Sequence, residues 1–212
     1  MARRDQLWFF SVIAAIITGL NHSFAMNEIL KQLQSRNSAP RLTEPGPDEY
    51  TLEQMLIAAV RAPDHAWLQP WRFIVVAGEA REQLGKVFVD ALLAANPSAD
   101  EAARIKAQGA PLRAPLLVVA VCNVVEHPKV PREEQLLSTG CAAYSMLLAA
   151  ECQGYAGIWR TGGYASDALV KLALGLTASE EIVGFLYFGT RDGRAKSLPT
   201  REVGTYVSYW RA

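Results

Sequence analysis

The sequence predicts a fold in which helices pack on a single β-sheet, and three observations support that prediction. Four short apolar runs have the length and composition of strands, while longer segments repeat apolar residues at helical spacing. Helices and strands alternate unevenly, which leaves an α+β and an α/β sandwich both open. No G-x-G-x-x-G follows a strand, so the nucleotide fingerprint of a Rossmann domain is absent.

Helical periodicity dominates the first half of the chain. Thr51 is expected to cap the second helix, with Gln54 completing a capping box, and Val60 is expected to face inward. A strand is predicted at Trp71–Ala77, after a loop that contains two prolines. The predicted helices cover residues 26–34, 51–61, 79–95 and 100–108.

The second half contains the other predicted strands. Leu116–Val121 is apolar throughout and is therefore expected to be central and buried. A long helix over 133–153 carries several small residues, which favours close approach to another helix, a partner subunit or a flat ligand. These residues are Gly140, Cys141, Ala142, Ala143, Ala149 and Ala150. Tight packing within the monomer is expected for most of these residues. Gly154 is expected to end this helix.

The last part of the chain is predicted as a strand at 155–159, a helix at 167–174 and a strand at 181–188. Residues 191–212 then form an extended tail. The tail is rich in large apolar side chains, which implies that it is buried against another surface.

Chain length and charge limit the class of protein. The 212 residues suffice for one domain with a sizeable core, and 21 basic side chains cancel 21 acidic ones. This balance favours neither nucleic acid nor stable membrane association. The cysteines Cys122, Cys141 and Cys152 lack metal-ligand spacing, so we expect three reduced, buried thiols in a reducing compartment.

Residues 1–25 differ from the rest of the chain. A basic pair, an apolar run that ends at Leu20 and a small final residue are typical of a signal peptide, and the run is short for a membrane span. Alternatively, the segment is not native to the mature protein, because Met26 begins a well-formed amphipathic helix. The cysteine pattern favours a cytoplasmic domain over residues 26–212, whereas a true signal would make the protein exported.

The loop between the second helix and the first strand is a candidate site. Pro63 and Pro70 restrict its backbone, so that Arg61, His65 and Gln69 are held in fixed positions. Polar groups on a rigid loop are typical of binding sites. A structural turn with a solvated histidine explains the same residues equally well.

Cations near glycine-rich turns give a second group of candidates. Arg36, Ser38 and Arg41 could grip a phosphate, or their charges could complement the end of their own helix. The segment Trp159–Gly163 adds an aromatic ring, a guanidinium, a hydroxyl and open backbone N–H groups at the end of a strand. Arg194 and Lys196 add two more cations near the C-terminus.

Taken in order, these segments resemble the nitroreductase family of flavoenzymes. No single segment is specific, but the ordered set is, and it extends from residue 26 nearly to the C-terminus. The matching segments are Ser35–Leu42, Arg61–His65, Gln69–Trp71, Arg113–Pro115, Lys129–Arg132, Gly140–Cys141, Gly157–Arg160, Val183–Tyr187 and Gly189–Thr190.

The resemblance implies an α+β fold with a central, mostly antiparallel sheet flanked by helices. It also implies an intertwined homodimer that binds FMN at the subunit interface, with the small-residue helix as dimer core and the tail wrapped over the partner. The implied reaction transfers hydride from NAD(P)H through the flavin to nitroaromatic or quinone-like acceptors. FMN carries that chemistry, so no catalytic side chain and no metal are expected.

The same resemblance assigns roles to the candidate residues. Arg36 and Ser38 are expected to hold the FMN phosphate and ribityl chain. Asn37 lies where the small bacterial members of the family that this chain most resembles often have a second arginine. Arg61 and His65 are expected to reach the flavin bound mainly by the other protomer. Trp159, Arg160 and Thr161 are expected to line the side of the flavin ring. Arg194 or Lys196 is expected to close the phosphate site.

Two other functions stay open on the sequence. Because Asn37 and Pro40 both depart from the family pattern, a protein of this fold could serve as a flavin store or sensor without nitroreductase turnover. A small-molecule-binding module without flavin is the third possibility, for example an exported one.

Overall fold

The structure, a computed structural model, describes residues 28–211. Glu28–Ser35 forms helix α1, as the periodicity predicts, and Ile29, Leu30 and Leu33 are exposed on it. The chain from Arg36 onward forms a second compact unit. The signal-like segment over residues 1–25 lies outside the described residues.

The second unit is built from strands and helices that alternate unevenly. The strands are β1 Leu42–Thr43, β2 Trp71–Ala77, β3 Leu116–Asn123, β4 Ala156–Arg160 and β5 Glu180–Arg191. The helices are α2 Glu49–Ala59, α3 Ala80–Ala95, α4 Glu101–Gln108, α5 Arg132–Cys152 and α6 Ala168–Ala173.

All of these strands join one antiparallel sheet around β5. Residues Glu180–Phe188 of β5 pair with β3, Phe185–Gly189 pair with β4 on the other side, and the last two residues pair with β1. Strand β2 pairs with β3 along its whole length. Because every pairing is antiparallel, the α+β alternative is correct and the α/β sandwich is excluded.

The sheet carries one apolar core on each face. Helices α3, α4 and α6 cover the first face, where Phe88, Phe185 and Tyr187 are buried. Helices α2 and α5 cover the second face, where Met146 and Phe188 are buried. Neighbouring residues of β5 alternate between the two cores, as successive side chains of a strand must. The fully apolar strand β3 lies between them and is buried, as predicted.

Small residues bring α5, β4 and β5 together. A Cβ atom on Gly184 would lie 1.9 Å from Trp159 Nε1, and one on Gly157 would lie 2.7 Å from Leu147 Cδ2. Ala142 and Ala143 of α5 are fully buried within the protomer. Tight packing inside the monomer, which was one explanation of the small-residue helix, is therefore confirmed for Ala142 and Ala143.

Two predictions at helix α2 are wrong. Asp48 caps the helix instead of Thr51, because its carboxylate accepts the Thr51 backbone N–H at 2.8 Å. Hydrogen bonds from the Thr51 side chain and from its backbone N–H lower the pKa of Asp48. Val60 is exposed instead of inward-facing, because the helix ends at Ala59 and Val60 is its C-cap.

The cysteine prediction is wrong for two of the three thiols. Cys122 is buried, and burial raises the pKa of its thiol, but Cys141 and Cys152 are exposed on α5. All three are free. Among residues 28–211, no helix is long and apolar enough to cross a bilayer, and no group of His, Cys, Asp and Glu side chains is arranged to hold a metal ion.

Candidate functional site

The loop that begins at Arg36 is held in place by three hydrogen bonds. Arg36 Nη1 donates to Ser38 Oγ at 3.4 Å, and Asn37 Nδ2 donates to the Lys196 carbonyl. Arg191 Nη2 donates to the Asn37 carbonyl at 2.6 Å. The structure thus brings four predicted residues, Arg36, Asn37, Ser38 and Lys196, into one cluster, while Arg194 lies exposed nearby in the chain.

Sequence reasoning missed two members of this cluster, Glu151 and Arg191. The Glu151 carboxylate interacts with the Asn37 backbone N–H and with the guanidiniums of Arg36 and Arg191, yet burial outweighs these contacts and raises the pKa of Glu151. Both residues lie more than a hundred positions from the loop, so no local pattern could have found them. Arg41, in contrast, turns to Asp192 at 3.6 Å and does not join the cluster.

Strand β4 connects this cluster to the second predicted group. The Ala39 backbone N–H donates to the Gly157 carbonyl at 3.0 Å, so the Arg36 loop lies at the start of β4. Thr161 follows the end of the strand, about 13 Å away at the rise of a β-strand. A single molecule of mononucleotide length can therefore reach from Arg36 to Thr161 along one edge of the sheet.

Trp159 and Arg160 point to opposite faces of the sheet. Trp159 packs toward α5, and its Nε1 donates to the carbonyl of Val183 in β5 at 3.2 Å. The Arg160 guanidinium lies over the Tyr187 ring, 5.9 Å from its centroid, on the face that α3 and α4 cover. The Nε atom of Arg160 is buried and has no hydrogen-bond partner. An unpaired buried donor is unusual and marks a position where a ligand acceptor is expected.

The loop of Arg61 and His65 has an unusual backbone. Ala66, Trp67 and Gln69 have φ angles of 61°, 57° and 46°, in the left-handed region that non-glycine residues rarely adopt. The Asp64 carboxylate holds the loop by accepting the Gln69 backbone N–H at 2.7 Å. Such strained positions are typical of functional sites, which favours the site interpretation of this loop over the simple turn.

His65 faces helix α5 and not the Arg36 cluster. Its Nδ1 lies 2.7 Å from Glu134 Oε2, beside a shallow cavity of about 470 Å³ that Cys141 also lines. Arg61 lines a smaller cavity of about 130 Å³ with Trp67 and Trp71. Glu134, near the start of α5, is another residue that the sequence did not reveal, because its partner lies 69 positions away.

Helix α5 contacts both the Arg36 loop and the His65 loop, so its length gives their separation along the helix. Glu134 contacts His65 and Glu151 contacts the Arg36 loop, and the seventeen residue steps from one to the other span about 25 Å of helix. The His65 loop and the Arg36 loop therefore contact α5 near opposite ends.

Known proteins are similar to this chain in sequence and in fold. The sequence profile of the Nitroreductase family matches residues 34–190. The chain is 42% identical over 184 residues to "Putative NAD(P)H nitroreductase YdjA" of Escherichia coli (strain K12), covering 86% of this chain and 100% of the relative. It is 31% identical over 185 residues to "Putative NAD(P)H nitroreductase" of Haemophilus influenzae, covering 85% and 100%.

Solved structures agree on the architecture. A nitroreductase-like protein from Bacillus cereus superposes with a TM-score of 0.75 at 23% identity, over 89% of this chain and 98% of that one. A nitroreductase with bound FMN from Bacteroides fragilis superposes with a TM-score of 0.69 at 22% identity, over 88% and 100%. The fold and the ordered site segments define an α+β oxidoreductase scaffold. The chain belongs to the nitroreductase family.

Proposed function

We propose that this protein is an FMN-dependent oxidoreductase that transfers hydride from NAD(P)H to nitroaromatic or quinone-like acceptors. Family membership supports the reaction class, and the relatives named as NAD(P)H nitroreductases support the choice of electron donor. The bound FMN of the Bacteroides fragilis structure supports the choice of cofactor. The observation that carries the proposal is the pair of polar clusters at the two ends of β4.

The cluster at the start of β4 fits a phosphate. Arg36 and the Ser38 hydroxyl supply a cation and a donor, and the nearby Glu151 carboxylate interacts with Arg36 without an ion pair at 4.0 Å or less. Asn37 is turned to Lys196, so it supports the loop and does not replace the arginine that the family often carries there. A phosphate bound here receives charge-assisted hydrogen bonds from Arg36.

The other end of β4 fits a flat, electron-accepting ring. Trp159 supplies an aromatic surface, and the backbone of Thr161 and Gly162 is exposed. The Arg160 guanidinium lies on the opposite face of the sheet from Trp159, so the proposed contact of Arg160 with the bound ring is through its backbone. FMN, when bound here, supplies the redox chemistry by accepting a hydride and passing it to the acceptor.

The separation along α5 supports a homodimer. Arg61 and His65 lie in a loop that meets α5 at Glu134, whereas the Arg36 loop meets the same helix at Glu151, about 25 Å farther along it. In the proposed dimer, they contact the flavin held by the partner. We further propose a cytoplasmic location, because the three cysteines are free and free thiols suit a reducing compartment.

Absorbance spectroscopy of the purified full-length chain tests this function. We expect added FMN to be retained, and anaerobic NADPH or NADH to bleach it, with colour restored by a nitrobenzene or a benzoquinone. Arg36→Gln should weaken FMN binding by about tenfold, because a charged hydrogen bond to phosphate is lost. Lys86→Gln removes an equal charge from the exposed face of α3 and should leave FMN binding unchanged.

Two results would contradict the proposal in different ways. A flavin complex that neither nucleotide bleaches would support a flavin store or sensor. Asn37 and Pro40, which depart from the family pattern, favour that alternative. A chain that remains colourless after addition of FMN would support a binding module without flavin.

A further inference from the structure

A sizeable cavity lies away from α5, on the opposite face of the sheet. It has a volume of about 620 Å³ and is enclosed by α3, α4, the turn before β3 and the strands β4 and β5. This volume falls within the range of small-molecule sites in proteins. We name it the α3–α4 cavity; Phe88, Leu92, Lys106, Arg113, Arg160 and Tyr187 are among the residues that line it.

Three cations border the α3–α4 cavity, and no carboxylate does. Lys106, Arg113 and Arg160 all contribute to its lining. Within residues 28–211, no ion pair or hydrogen bond is seen for the side chains of these three residues. Asp167, which acts on the cavity residue Tyr164, is engaged in capping α6 through the Leu169 and Val170 backbone N–H groups. Unpaired cations around a concave surface attract an anion.

The Arg160 side chain has a buried hydrogen-bond donor without a partner. Its Nε atom is sealed from solvent without a partner, a state that costs free energy unless an acceptor is supplied. A carboxylate or sulfonate bound beside Arg113 and Arg160 would place a negative charge next to this guanidinium. The Tyr164 and Tyr187 hydroxyls do not oppose an anion, because burial raises the pKa of both phenols and keeps them neutral near pH 7.

The remaining wall of the α3–α4 cavity is flat and aromatic. Phe88 and Tyr164 stack with their ring centroids 4.0 Å apart and their planes inclined by 4°. Phe185 meets Phe88 edge-on at 5.6 Å. Aromatic walls of this kind favour a planar ring over a flexible chain, because ring edges and faces pack against them without loss of rotamer freedom.

We propose that the α3–α4 cavity binds a small aromatic acid, with its anionic group at Arg113 and Arg160 and its ring beside Phe88. The site is distinct from the proposed contacts of Arg36, Arg61 and His65, and it shares Arg160, Thr161 and Gly162 with the proposed flavin region. Binding of the acid does not require the flavin, so this proposal can fail while the proposed function holds, and the reverse.

Calorimetric titration with a matched pair of probes tests the proposal. 1-Naphthoate carries the ring and the charge, whereas 1-naphthamide has the same ring and size without the charge. Both are titrated into the full-length chain, once as purified and once after loading with FMN. We expect naphthoate to bind at least about tenfold more tightly than naphthamide, because charge-assisted hydrogen bonds add to ring burial.

Variants then locate the site. Arg113→Gln should weaken naphthoate binding by about tenfold and leave naphthamide unaffected, whereas Lys86→Gln removes the same charge outside the cavity and should change neither. Ala103→Phe should fill the cavity and abolish both signals; if that variant does not fold, Arg113→Gln remains decisive. Equal affinities for the two probes, equal effects of the two charge variants, displacement of bound FMN or no binding at all would each overturn the proposal.

Discussion

At the scale of single residues, Glu180 is the most strongly engaged charge in the described chain. It lies at the start of β5, where its carboxylate accepts from Arg72 Nε at 2.6 Å and Nη2 at 3.0 Å. The Thr177 backbone N–H adds a third bond at 2.9 Å. The hydrogen bond from Arg72 is the main reason that the pKa of Glu180 is lowered, and burial opposes it.

Glu180→Gln should therefore reduce the free energy of unfolding by about 2 kcal/mol at pH 7, because hydrogen bonds to a buried carboxylate are lost. The folded-state pKa lies below the unfolded value of about 4.3, so the contribution is complete above that pH and is lost as the pH falls through the folded pKa. Urea unfolding of both proteins between pH 3 and pH 7 measures this difference.

The exposed Glu82→Gln on α3 serves as the control, with no expected change at any pH. A stability difference between wild type and Glu180→Gln that stays constant from pH 7 to pH 3 would show that the Arg72 pair does not cause the effect.

At the scale of secondary-structure elements, β4 and β5 approach each other through Gly184. An alanine there would place its Cβ 1.9 Å from Trp159 Nε1 and 2.5 Å from Cδ1, so the indole ring must leave its position. Gly184→Ala should cost about 1–3 kcal/mol of stability through overpacking and the loss of the Trp159 bond to Val183.

Denaturation followed by tryptophan fluorescence measures the stability. Gly163→Ala is the matched control, since nothing lies within 4 Å of an added Cβ at that position. Equal stability of the two variants would mean that the strands separate without cost and that the packing of Trp159 does not depend on Gly184.

Elements with a strong local pattern were the predictable part of the fold. Strand β2 matches its prediction at Trp71–Ala77, and β3 is the buried central strand that its apolar run indicated. Strand β5 was predicted to stop at Phe188 but continues to Arg191, because its last residues pair with Leu42–Thr43. A two-residue strand has no sequence signal of its own and exists only through that distant partner.

The candidate site follows the same division. The segments around Arg36, His65 and Trp159 were identified in the sequence, since each carries several polar or aromatic groups close together. Glu134 and Glu151 were not, because they belong to the surface of a long helix and acquire their partners only when the chain folds. The α3–α4 cavity escaped for the same reason, as its cations come from α4, the following turn and β4.

At the scale of the whole molecule, large apolar surface remains uncovered on one protomer. Leu137 of α5 is 68% exposed beside His65, and the tail adds exposed aromatic residues. Exposed apolar patches of this kind are typical of an interface. The exposed tail side chains are Val203, Tyr206, Val207, Tyr209 and Trp210.

Leu137→Lys tests whether α5 forms the proposed dimer core. A lysine buried in an apolar interface loses hydration without gaining a partner, so the dimer should weaken at least about tenfold. Leu172→Lys makes the same change at a leucine that is 74% exposed on α6, and it should leave the dimer intact. Sedimentation velocity at micromolar concentration measures the oligomeric state, and absorbance measures retained FMN. If each flavin needs His65 of the partner, Leu137→Lys should lose FMN as it dissociates, whereas a monomer that keeps its FMN would place the complete flavin site within one chain.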